Sequence, residues 1–433
     1  MTREMLFSFT HSDSGAAPWG LYLSSASDAA QAVNAHSSPR GNRPSLWGNA
    51  MRHNKICGLF ADLCLGVLGL GLGLGTSVAW AQTPIVVHHI GPFTGVLAAS
   101  NKESIDGARL FLDAYNARGG VQGRSVQLQT LDDGQDPKRS KELFDKLVAD
   151  KTLLALLLPR TTPSMEAILP GVLQHGVPVI GPQTGGSFVN QPPKREVFTL
   201  RASYQKEAEA AIRLQHSIGV RRFALLLADD VFGRDTLLGI ERTMKELQLT
   251  PVATAKVDNR KPDVTEAVRS MMLANPQVVL LIVSSKAASD FVKGYRANSA
   301  SGGNATFISL SNTSNNDYVQ LLGSQARGAI VMQVLPSPFS AVTALARDYA
   351  AAAGKAKHVP SYAGLYGFAS AKLLTLGLAK TGREPTRASL VQALESLGEV
   401  DLGGFRLRYG PGERVGSSYV DSTIITHNGR FMR

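Results

Sequence analysis

The stretch 153–187, LLALLLPRTTPSMEAILPGVLQHGVPVIGPQTGGS, decides the fold. It opens on an unbroken apolar run of strand length and turns through PRTTPS. Met165, Ile168, Leu169, Val172 and Leu173 then follow at helical spacing. A second short apolar run, VPVI, begins after Gly176 and ends in GPQTGGS. Strand, helix and strand make a βαβ unit, and apolar runs without alternation indicate strands buried on both faces, as in a parallel sheet.

In an open parallel sheet a ligand lies against the turns at the carboxyl ends of the strands. Here those turns offer Thr161, Thr162, Ser164, Thr184, Gly185, Gly186 and Ser187, small residues that leave backbone N–H groups accessible. A helix starts directly after the first turn, and its amino end favours a carboxylate or another anion. Ser and Thr also cap helices at such positions. Two consecutive turns of this composition favour a ligand site.

The chain has 433 residues, 44% of them apolar, which suggests two globular domains with ample core. The front differs. Arg52 and Lys55 precede a Leu/Gly-rich segment from Leu63 to Val78, and Ala79-Trp80-Ala81 stands before Gln82. That order is a secretory signal peptide over 51–81, with cleavage expected after Ala81 and a periplasmic product. The apolar run is short for a membrane span. Leu63 before Cys64 does not make a lipid-attachment motif. Residues 1–50 are rich in Ser, Ala, Gly and Asn without periodicity, so translation is expected to start at Met51, with 1–50 an untranslated or disordered extension.

Cys57 and Cys64 both fall within the signal, so the exported chain carries no disulfide and is held by its core. Without residues 1–81 the chain retains 40 Lys/Arg against 30 Asp/Glu. A basic balance admits anionic partners. The basic residues are nevertheless scattered, as at Lys138-Arg139, Arg221-Arg222, Lys293 and Arg296, so nucleic acid is not an expected partner.

From Pro84 the pattern alternates strand and helix: IVVHHI, a helix over about 102–118 stopping at Gly119-Gly120, a strand over 125–131 closed by Asp132-Asp133-Gly134, and a helix over about 137–150. Strict alternation implies right-handed crossovers and a parallel sheet. After 197–201 the pattern restarts, with strands at 222–228, 252–257, 278–283, 306–310 and 328–333 and helices between them. Three long helical patterns follow, at 340–353, 361–380 and 386–397, and only 405–409 and 418–426 return to strand period. The late helices need a sheet to cover, and the first half lacks helices for both of its faces. The chain is therefore expected to return to the first lobe near 335–338 and to the second near 408–412. The expected lobes are 82–202 with 336–408, and 203–335 with 409–433. Three crossings make a hinge, and a hinge makes a cleft.

His88 and His89 point to opposite faces of one strand and cannot share a metal; packed histidines are expected. No GxSxG, Walker loop or HExxH motif occurs, no cofactor is expected, and Asp132-Asp133 and Asp229-Asp230 read as turn-closing pairs rather than catalytic carboxylates. The expectation is a binding protein, not an enzyme.

GPFTG at 91–95, GARLFLDAYNARGGVQGR at 107–124, DDGQDPKRS at 132–140, GVPVIGP at 176–182, ADDVFGRD at 228–235 and GPGERVGSSYVD at 410–421 resemble the extracytoplasmic solute-binding proteins of the leucine/isoleucine/valine-binding type. The resemblance runs from Thr83 to the end. It implies an α/β fold of two Rossmann-like lobes with three hinge crossings, a small-molecule ligand in the cleft, and delivery by a monomer to an ABC-type permease of the inner membrane. A sensing role, with a membrane receptor as partner, is the alternative.

Carried over, the family's ligand contacts fall on Ser100 after the first strand, on Arg160, Thr161 and Thr162 in the carboxylate turn, and on Thr184 and Gly185 in the next. In the second lobe they fall on Phe232, on Ser284 with Ser285, and on Ser311 with Asn312. Tyr204, at the first crossing, lines the cleft in this reading. Relatives hold an amino acid's ammonium with an acidic residue near Ser311, and neither Ser311 nor Asn312 neutralises a buried ammonium. A carboxylate without an α-ammonium is therefore the expected ligand, rather than a branched-chain amino acid. Gln135 and Arg160 stand where relatives often carry a bridged cysteine pair. Arg160 either meets a ligand carboxylate in bidentate fashion or remains a surface arginine.

Overall fold

The structure is a computed structural model that describes residues 83–298 and 304–433. The expected extension over 1–50 and signal peptide over 51–81 lie outside the described residues. The first half supplies β1 (Ile85–Gly91), α1 (Ala98–Asn116), β2 (Val126–Asp132), α2 (Pro137–Ala149), β3 (Leu156–Leu157), α3 (Thr162–Gln174), β4 (Val179–Ile180) and β5 (Val197–Phe198). Its five strands are parallel in the order β2-β1-β3-β4-β5.

The stretch 153–187 forms the expected βαβ unit, but β3 and β4 are only two residues long. Their buried flanks leave the ladder because Leu158 and Gly181 take left-handed backbone (φ 59° at each), which turns the chain out of the sheet. Helix α3 then starts at Thr162, with the Thr161 hydroxyl accepting from the Ser164 amide.

The second half repeats the arrangement with α4 (Tyr204–Ser217), β6 (Phe223–Ala228), α5 (Val231–Glu246), β7 (Ala253–Val257), α6 (Thr265–Ala274), β8 (Val278–Ile282), α7 (Ser285–Ala297), β9 (Thr306–Ser309), α8 (Asn316–Leu322) and β10 (Ile330–Gln333). After these come α9 (Ala344–Lys355), α10 (Tyr362–Ala379), α11 (Arg387–Glu395), β11 (Glu399–Asp401), β12 (Arg406–Arg408), β13 (Asp421–Ile425) and β14 (Phe431–Met432). The second sheet runs β14-β13-β10-β9-β8-β6-β7, parallel except for β13 and β14. The residues at 405–409 do not join either large sheet, because β12 pairs with β11 in a separate hairpin.

The late helices return to the first sheet. Helix α10 is apolar on nearly every side and packs along α1 and against β3 and β4, while α9 packs on α1. Glycines set the α1–α10 approach: a Cβ on Gly107 would stand 1.9 Å from the Gly364 oxygen, and one on Gly367 1.8 Å from the Ser104 oxygen. Near the crossings, Thr199 accepts from Gly416 and donates to Arg414, which ties the end of β5 to the segment before β13. No described helix is long and apolar enough to cross a membrane.

Candidate functional site

The carboxyl ends of the parallel strands of both sheets open onto one cavity of about 560 Å³. From the first sheet come Gln135, Arg160, Thr161, Thr162 and Gln183; from the second come Asp230, Phe232, Asn259, Ser284, Ser311 and Asn312. Arg201 and Tyr204 line it at the first crossing, and Tyr362 and Tyr366 of α10 close one wall.

Two buried arginines face this cavity in opposite electrostatic circumstances. Arg201 is held by Glu207, which is fully buried, and by Ser311, whose hydroxyl accepts at 2.7 Å; Glu207 in turn accepts from the Ser311 amide at 2.8 Å. Burial is the largest single influence on Arg201 and works against its charge, but the attraction and hydrogen bond of Glu207 together with Tyr204 and Tyr366 outweigh it and raise the guanidinium pKa. The guanidinium also lies 4.4 Å over the Tyr204 ring, which packs against Phe232 at 4.6 Å. Arg160 has only neutral partners: Gln183 accepts from Nη1 at 2.6 Å and Ser100 from Nη2 at 2.8 Å. Among the described residues no carboxylate pairs with it. Burial therefore lowers its pKa, and the more distant Tyr204, Glu103, Asp317 and Asp133 offset only part of that. An arginine stays protonated even so.

The turn beside Arg160 adds donors. Thr161 sits at φ 75°, and its hydroxyl takes the Ser164 amide. Pro163 has no N–H, and no described acceptor is bonded to the amides of Thr161 and Thr162. Arg160, Thr161 and Thr162 line the same cavity. Across it, Asp230 caps α5 through the Phe232 and Gly233 amides, Asn259 accepts from the Ser284 amide at 2.7 Å, and Ser284 caps α7. Asn312 donates to the Val283 carbonyl at 2.8 Å.

A family model described as periplasmic binding protein matches residues 84–420. The chain belongs to the periplasmic binding protein family. Among its relatives, a Leu/Ile/Val-binding protein homologue of Brucella melitensis is 22% identical, over 75% of this chain and 89% of its own length. A solved substrate-binding periplasmic protein from Ralstonia solanacearum is 29% identical with a TM-score of 0.75, covering 80% of this chain and 99% of that one. A possible leucine/isoleucine/valine-binding protein from Rhodopirellula baltica, 23% identical, superposes with a TM-score of 0.76 over 82% of this chain and 97% of that one. The fold is that of type I periplasmic binding proteins, which bind small ligands for ABC transporters outside the cytoplasm.

In this periplasmic binding protein Arg160, Thr161, Thr162, Tyr204, Phe232, Ser284, Ser311 and Asn312 all line the cavity. Four expected contacts do not. Ser100 is fully buried in the first turn of α1, behind Arg160, because its hydroxyl accepts from the guanidinium and donates to the Leu97 carbonyl. Thr184 is fully buried against the Thr162 hydroxyl at 2.8 Å and accepts from the Gly186 amide. At Gly185, a Cβ would press on the Tyr204 amide, 2.8 Å away, and on Arg201, so this glycine serves the close approach of α4 rather than the cavity. Ser285 is likewise buried, near Asn315.

The sequence reading missed Arg201 and Gln183. Their only sequence signal is a polar residue at or just beyond the end of a short apolar run, which the hydroxyl-rich turns nearby overshadow. The paired aspartates close turns, as expected: Asp132 accepts from the Phe93 and Gly134 amides and the Thr94 hydroxyl, and Asp133 from Ser140, Ser164 and the Gln135 amide. His88 and His89 are both buried, and no cluster of metal-ligating residues occurs among the described residues.

Proposed function

We propose that the protein clamps a small organic carboxylate lacking an α-ammonium group and hands it to an ABC permease, without chemical conversion. The observation that carries this reading is Arg160: a buried guanidinium on the cavity wall with no protein carboxylate beside it. A buried cation without a counter-charge is costly, and a ligand carboxylate received by Arg160 with the Thr161 and Thr162 amides offsets that cost through charge-assisted hydrogen bonds. The carboxylate of Glu207 is not free for an ammonium, since it is already spent on Arg201 and Ser311, and of the aspartates that line the cavity Asp136 and Asp230 cap α2 and α5.

In this reading 82–202 with 336–408 form one lobe and 203–335 with 409–433 the other. The hinge strands let them close on the ligand, and the closed surface is read by the permease. Export through the signal peptide at 51–81 places the protein in the periplasm.

Leucine and 4-methylpentanoate, the same skeleton without its ammonium, separate the alternatives. With ligand stripped from the purified protein, a ligand at a hundred times its dissociation constant adds about 2.7 kcal/mol to unfolding. We expect thermal stabilisation by 4-methylpentanoate or by benzoate or succinate, and none by leucine. We also expect Arg160→Ala to weaken binding at least tenfold without a large loss of stability. Stabilisation by leucine alone, or unchanged affinity in the variant, would sink the carboxylate assignment.

A further inference from the structure

We infer that Ser100, Gln183, Asn101 and His89 are positioning residues that aim Arg160 and keep its charge unneutralised for an anionic ligand; this rests on the carboxylate reading above. Gln183 at the cavity wall and Asn101 and His89 behind it form one ordered chain of hydrogen bonds, and Ser100 meets Arg160 from the other side. Gln183 gives its amide hydrogens to the Leu158 carbonyl at 3.0 Å and to Asn101 Oδ1 at 3.3 Å, so its oxygen is left facing Arg160. Asn101 gives its own amide hydrogens to the Pro92 carbonyl at 2.9 Å and to His89 Nε2 at 3.1 Å. His89, fully buried, completes the chain with Nδ1 donating to the Leu157 carbonyl at 3.2 Å. On the other side Ser100 donates to the Leu97 carbonyl, so its oxygen too is available only as an acceptor.

The orientation of every amide in this chain is dictated by backbone carbonyls at its far end, and the result is two acceptors converging on Arg160. They fix two of its five N–H groups. Among the described residues no acceptor is bonded to the other three, and the side chain lines the cavity. Leu158 contributes through its left-handed backbone (φ 59°), for its carbonyl accepts from Gln183 instead of continuing the sheet. All four positioning side chains are neutral. Arg201, in the same cavity, is built the opposite way, with a buried carboxylate as its partner. One arginine is thus satisfied by the protein, while the other is rigidly held and left for an external anion.

The test introduces an internal counter-ion. Ser100→Asp puts a carboxylate beside Arg160, at a position in the first turn of α1 where an acidic side chain is favourable. Titration calorimetry of the purified protein with benzoate, succinate and 4-methylpentanoate is compared with ligand-free melting. We expect Ser100→Asp to bind at least tenfold more weakly while melting at the same temperature or higher, a combination that mere damage to packing does not produce. Gln183→Met, which frees Nη1, is expected to bind at least fivefold more weakly. Wild-type affinity in a folded Ser100→Asp, with binding lost in Arg160→Ala, would overturn the positioning role and leave the carboxylate reading standing. Should Ser100→Asp not fold, wild-type affinity in Gln183→Met overturns it equally. Unchanged binding in Arg160→Ala, or no binding of any of the three acids by the wild type, removes both.

Discussion

His89 shows at the residue scale how burial writes a pH dependence into this protein. It is fully buried with both ring nitrogens in use, and burial, outweighing its bond to Leu157, pushes its pKa down to about 3. The unfolded chain takes up a proton near pH 6.5 while the folded state does not, so the unfolded state binds more protons and stability falls as pH drops from 6.5 toward 3. At pH 5 the expected cost is about 2 kcal/mol relative to neutrality. Melting curves at pH 7.5 and 5 should show His89→Gln losing less than the wild type over that interval; an equal loss would mean that other groups govern the acid limb. The role of this side chain was legible only in part. Adjacency on a strand excludes a shared metal, but a bond to Asn101 one helix turn into α1 leaves no trace in spacing. Ser100 is the sharper case. A serine after a strand reads alike whether it faces a ligand or backs an arginine 60 positions later, and only the fold decides.

At the scale of elements, the periodicity placed most helices within a few residues, because most bury one face and several carry a cap such as Asp136, Asp230 or Thr386. Strand lengths in the first sheet were not legible. The apolar runs continue beyond β3 and β4, since burial persists after the ladder ends, and what ends the ladder is the backbone at Leu158 and Gly181. Hydrophobicity reports burial, not pairing. The α1–α10 contact tests a different feature, the absence of side chains. A methyl group on Gly367 would overlap the Ser104 carbonyl, and neither helix can retreat without opening the core around Phe111 and Phe368. Gly367→Ala should cost about 2 kcal/mol or more in denaturant unfolding. A loss under about 0.5 kcal/mol, the scale of an ordinary surface substitution, would show that the helices separate easily.

For the whole molecule, the bilobal plan was legible because strand–helix alternation restarts after 201 and the late helices have only the first sheet left to cover. How the lobes meet was not, since it depends on single side chains reaching across. Glu103 of α1 accepts from the Asn316 and Asp317 amides at the start of α8, at 3.1 and 3.0 Å. Asp235 of α5 accepts from the Ser187 amide and hydroxyl beyond β4. Each sheet body thus lends a carboxylate to the backbone of the other, at positions that do not line the cavity. These bonds exist only while the bodies are together, and hydrogen bonds to a charged group contribute about 1.5–3 kcal/mol. If clamping is the mechanism, Glu103→Ala and Asp235→Ala bias the equilibrium toward open forms, and ligand must then supply that difference from its own binding energy. Each substitution is expected to weaken carboxylate binding by about tenfold, mostly through faster dissociation. The ligand-free radius of gyration by small-angle scattering should rise at the same time. Unchanged affinity with an unchanged radius would mean that the lobes stay together without these carboxylates, and the closure energy would then have to come from the hinge itself.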